Sequence, residues 1–73
     1  MDETELKELL LRESEEFRKL HEEHQSCESK LEGLAAKGFL TEEDKLEERE
    51  IKKRKLALKD RMYVLMAQRR EGK

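Results

Sequence analysis

Seventy-three residues can build one small domain at most. With 49% of them charged, 34% hydrophobic, no Pro and no Trp, two classes remain: a disordered chain, or a long-helix protein that buries a narrow seam. The net charge of −2 selects no acidic or basic partner, although residues 1–37 carry 11 acidic and 6 basic side chains and residues 38–73 carry 8 and 11, an asymmetry that suits a chain folding back on itself or assembling antiparallel.

The first element shows which class applies. Leu6, Leu10, Phe17, Leu20, Cys27, Leu31 and Leu34 fall on one stripe of alternating four- and three-residue steps, with Glu13 and His24 at its two polar positions. Disorder would not keep such spacing over four heptads, so a helix is predicted over about 3–36. A turn follows at about 37–41. Gly38 offers a left-handed helix end, and Thr41 offers an N-cap hydroxyl to the amide of Asp44. Gly33 lowers local helicity. A second helix is predicted over about 42–70, along Ile51, Lys55, Leu58, Met62 and Leu65.

So short a connection favours antiparallel neighbours. The expected fold is all-α, a single antiparallel two-helix hairpin over 1–73, coiled-coil-like. Folding about Phe39 sets Cys27 against Ile51, Leu20 against Leu58, Phe17 against Met62, and Leu34 against the Asp44–Leu46 turn. His24 then falls opposite Lys55. Polar residues sharing a seam layer specify register at a cost in stability, and Lys55 could extend its ammonium to Glu23 or Glu28.

One seam is a thin core for so small a chain. More apolar surface is expected to be buried at the open end, where Leu9, Leu10 and Leu11 meet the run from Met62 to Met66. In the second helix Ile51, Leu56, Leu58, Met62, Tyr63, Leu65 and Met66 spread over an arc of about 160°, wider than a two-helix seam requires. Leu9, Leu10, Leu11, Leu56, Met62, Tyr63 and Met66 are therefore the candidate interface, for a second copy in a homo-oligomeric bundle or for the helix of another protein.

Other features carry less. His21, His24, Cys27 and Glu28 share one helix at zinc-ligand spacing, but His24 and Cys27 are already seam residues, so no metal is expected. Lys52, Lys53, Arg54, Lys59 and Arg61 form a basic stretch, the alternative site for an accessory protein that binds nucleic acid. Being nearly contiguous, these charges wrap round the helix, and an acidic first helix lies beside them. No phosphate loop, nucleophile elbow or catalytic carboxylate pair is present, and a helical seam encloses no substrate pocket. Neither an enzyme, nor a cofactor, nor a small-molecule substrate is expected. The single cysteine excludes an internal disulfide, and no apolar run suits a signal or a membrane span, which makes the cytosol the default.

Two stretches resemble a known family: Phe17-x-x-Leu20-x-x-x-His24, and Ile51-Lys52-Lys53-x-Lys55-Leu56-x-Leu58-Lys59-Asp60. Together they resemble the YdcH-like family of small bacterial proteins, a domain of unknown function, over roughly residues 13–68. Where that family usually has Leu-Asp, this chain has Cys27-Glu28. The resemblance implies a bacterial, cytoplasmic helical hairpin. It implies no activity, and it sets Lys55, Lys59 and Asp60 beside the seam.

Overall fold

The computed structural model describes residues 2–72; Met1 and Lys73, the ends of the expected 1–73 unit, lie outside them. Three helices form, with no strand among the described residues: α1 over Glu3–Glu13, α2 over Glu15–Ala35 and α3 over Glu42–Gly72. The two-helix hairpin is thereby corrected to three helices, because the expected first helix breaks at Ser14.

The break has a local cause. Ser14 takes an extended conformation (φ −111°, ψ 114°), and its Oγ accepts a hydrogen bond from the amide of Phe17 at 3.1 Å. Ser, followed by two acidic residues in the first turn of α2, is a favourable N-cap sequence. Its own amide still donates to the carbonyl of Leu10 at 2.8 Å, so one residue closes α1 and opens α2. Asp2 caps α1 in the same manner, accepting from the amide of Glu5 at 2.8 Å.

Beyond the elbow, α1 doubles back over the other two helices. Lys7 lines the same cleft as His21 and His24, which an in-line continuation of α2 could not reach, since fourteen helical residues span about 21 Å. Leu6 and Leu10 bury against Phe17, Met62 and Met66, with Leu11, Leu20 and Leu65 packed around them. Phe17, at the centre of this cluster, is 0% exposed.

The other two helices form the antiparallel pair. Cys27, Leu34, Ile51 and Leu58 make a second cluster, with Leu20, Leu31 and Leu40 against it. Leu20 touches both clusters and joins them into one seam. Leu34 is buried while Leu46 is exposed, so Leu40, not the first turn of α3, closes the seam at the turn. The long axis of the molecule is 48 Å, which matches the ~46 Å of the 31-residue α3. Helix α2 has 21 residues and is about 32 Å long.

At the turn, Thr41 caps α3 reciprocally. The amide of Asp44 donates to Thr41 Oγ1 at 3.0 Å, and the amide of Thr41 donates to Asp44 Oδ2 at 3.1 Å. Lys37 Nζ reaches Asp44 Oδ1 at 3.0 Å. The Thr41 amide and the Lys37 ammonium together hold the Asp44 carboxyl below its ordinary range. Gly38 corrects one expectation: its φ is outside the left-handed region. Helix α2 ends instead with Ala36 in right-handed helical geometry and a tightened bond from the Lys37 amide to Leu34 O at 3.1 Å.

Candidate interaction surface

Helix α3 positions most of the chemistry-bearing side chains, and its rotation decides which of them are free. With Ile51, Leu58, Met62 and Met66 turned inward, the two flanks of the α2–α3 pair differ in kind.

One flank is laced by charge. Arg54 Nη2 donates to Glu23 Oε2 at 2.6 Å, and one turn pair further on Arg61 donates through Nε and Nη2 to Glu16 Oε2 at 3.1 and 2.9 Å. Glu16 and Glu23 are seven residues apart, as are Arg54 and Arg61, so the antiparallel register sets both pairs side by side. Arg69 pairs with Glu13 beside the elbow. These contacts occupy two of the five residues of the basic stretch. Lys52 lies 4.0 Å from Glu48 on its own helix, Lys59 lies over the Tyr63 ring at 5.9 Å from its centroid, and Lys53 is exposed. The five charges do not gather on one face.

The opposite flank holds a cleft of about 150 Å³, lined by His21, His24, Gln25 and Glu28 of α2, Lys59, Met62, Tyr63 and Met66 of α3, and Lys7 of α1. His24 Nδ1 lies 3.0 Å from Glu28 Oε1, with 18% of its side chain exposed. Burial pushes the His24 pKa down; Glu28 opposes the shift, and Lys55, His21 and Lys59 reinforce it. Lys55 is half-buried in the seam layer with His24. The expected reach of its ammonium to Glu23 or Glu28 is corrected: those carboxylates pair with Arg54 and His24 instead. Cys27 is buried, and no group of three or more His, Cys, Asp or Glu side chains among the described residues is arranged to hold a metal ion.

The candidate interface divides. Leu10, Met62 and Met66 are buried in the core, and Leu9 and Leu11 are half-buried. The open end is therefore not bare, as a two-helix fold would leave it, because α1 supplies the missing cover. What stays open is Leu56, 61% exposed, and Tyr63, 48% exposed, two turns apart along α3, with Val64 and Leu46 further round the same helix. Phe39, at the tip of the turn, is 81% exposed. Ser14 and the Glu–Arg ladder are the positions that sequence spacing missed. Ser14-Glu15-Glu16 repeats the cap signal of Thr41-Glu42-Glu43 and could have revealed the break.

Fold and surfaces together define a small all-helical protein with an ion-paired flank, a clefted flank and an apolar strip on α3. More particularly, the chain belongs to the family described as protein of unknown function (DUF465), whose sequence pattern matches residues 17–66. That match spans α2 from its third residue, the turn and most of α3; α1 and Ser14 fall outside it. No curated protein and no solved structure matches the chain. No helix among the described residues is long and apolar enough to cross a membrane.

Proposed function

We propose that this protein is a non-enzymatic helical interaction module that associates with a second copy of itself through the apolar strip of α3, with the helix of another protein as the other occupant of that strip. Within its family we place it in the YdcH-like group, on the Ile51–Asp60 motif, and its site of action in the cytosol. The observation that carries the reading is the exposure of Leu56 and Tyr63 at heptad spacing on one helix. An apolar pair of this kind on one exposed helix face is the recognition pattern of a helix laid against a helix. Lys59 over the Tyr63 ring adds a cation at the rim, where a partner's carboxylate would meet it. The basic stretch supports nucleic-acid binding less well, because Arg54 and Arg61 are already paired.

Light scattering at tens of micromolar tests the reading. A mass above the 8.8 kDa of one chain, returned to that of the monomer by Tyr63→Asp, is the expected result. A monomer at hundreds of micromolar, together with salt-sensitive retention of RNA or DNA that depends on Lys52 and Lys53, would replace it with the nucleic-acid reading.

A further inference from the structure

We infer that α1 is an exchangeable arm: the surface it covers is a helix-binding groove, and the groove's second occupant is the α1 of another copy of this chain. The proposal rests on the self-association reading above but assigns it a different surface, formed by Phe17, Met62 and Met66.

The arm is held by little and hinged at one residue. Its anchors are Leu6 and Leu10, with Leu11 packed at the edge. Eleven residues are too few for a helix to be stable in water on its own, so α1 persists only while its apolar face is docked. On either side of the hinge the backbone is already helical: the Ser14 amide bonds to Leu10 O at 2.8 Å, and the Arg18 amide bonds to Ser14 O at 3.1 Å. Turning Ser14 alone from extended to helical dihedrals would fuse α1 and α2 into one rod and return the amides of Glu15, Glu16 and Phe17 to helical partners.

The sequence keeps that rod available. Positions 6, 10, 13, 17, 20, 24, 27, 31 and 34 alternate steps of four and three across Ser14 without a slip, so the same stripe serves the bent chain and the straight one. A straight chain would carry Leu6 and Leu10 away from its own Phe17, Met62 and Met66 and set them beside the last turns of α3, where Arg69 and Arg70 stand. Two such chains running antiparallel can each lay α1 on the other's groove, in the sense in which α1 now opposes α2. The contacts in the groove are then those already made within one chain, and a one-residue hinge favours their exchange between chains.

The family match, over residues 17–66, includes all three groove residues.

Differently tagged chains carrying Lys7→Cys and Lys59→Cys, each with Cys27→Ala, test the exchange, because both lysines line one cleft. Mixed and oxidised at hundreds of micromolar, they are expected to cross-link in trans. Ser14→Ala, which removes the cap that favours the elbow, should raise the trans product and tighten self-association by about fivefold or more. Ser14→Gly, which preserves most of the cap preference, should leave both near wild type, and circular dichroism identifies a variant that has merely unfolded. A mass above one chain without trans cross-linking, or a Ser14→Ala protein that keeps its helicity and gains no trans product, overturns arm exchange and leaves association through Leu56 and Tyr63 standing. A monomer throughout overturns both.

Discussion

Gly33 lies inside α2 with open space where a Cβ would project, and Gly38 in the turn has equally open space and no left-handed φ. Neither glycine is needed for its shape. Gly33→Ala is expected to stabilise the protein by about 1 kcal/mol through helix propensity, and Gly38→Ala should be neutral or mildly stabilising by restricting the unfolded chain. Urea midpoints decide both, and a large loss at Gly38 would show that the turn visits the left-handed conformation after all. His24 gives a different prediction. Its folded pKa is lowered, below an unfolded value of about 6.5, so the unfolded chain binds the extra proton first. The stability due to neutral His24 is complete above that unfolded value and falls as pH drops toward the folded one. A urea midpoint that declines from pH 8 to pH 5, and declines less in His24→Gln, is the expected outcome.

At the scale of elements, α1 is the part that spacing alone could not place. The heptad stripe is blind to the break because Ser14 lies off it, and a bent and a straight helix satisfy the same pattern. The seam was legible for the opposite reason. Phe17 and Met62 share one cluster, and Cys27 and Ile51 share the other, because a short turn between two apolar stripes leaves few ways to pair them. The cap at Thr41 was legible too, being a local signal with a local partner, whereas the Glu16–Arg61 and Glu23–Arg54 ladder depends on the exact rotation of both helices. Leu10→Ala separates the elements. It should cost about 2–3 kcal/mol, seen as early loss of amide protection over residues 3–13 while α2 and α3 stay protected; simultaneous loss across all three helices would mean that the arm and the hairpin fold as one.

For the whole molecule, a Glu–Arg ladder borders one flank of the apolar seam between α2 and α3. Partners on both helices of the ladder are about half exposed, so each pair is worth roughly 0.2–1 kcal/mol and is screened by salt. A double-mutant cycle on Glu23→Gln and Arg54→Gln should return a coupling in that range at low salt and much less at 1 M salt. A coupling unmoved by salt would show that the ladder is shielded from solvent. Three acidic side chains of the first half, Glu13, Glu16 and Glu23, pair in this way with Arg69, Arg61 and Arg54 of the second.

The elbow at Ser14 also has a consequence for how the chain is digested. Arg12 and Arg18 flank it and are exposed, and the backbone between them leaves helical geometry at a single residue. Proteases cut where the chain opens locally, well before global unfolding. Limited trypsin treatment is therefore expected to nick first at Arg12 or Arg18, shedding the N-terminal segment, while Arg49 and Arg54 in the middle of α3 survive longer.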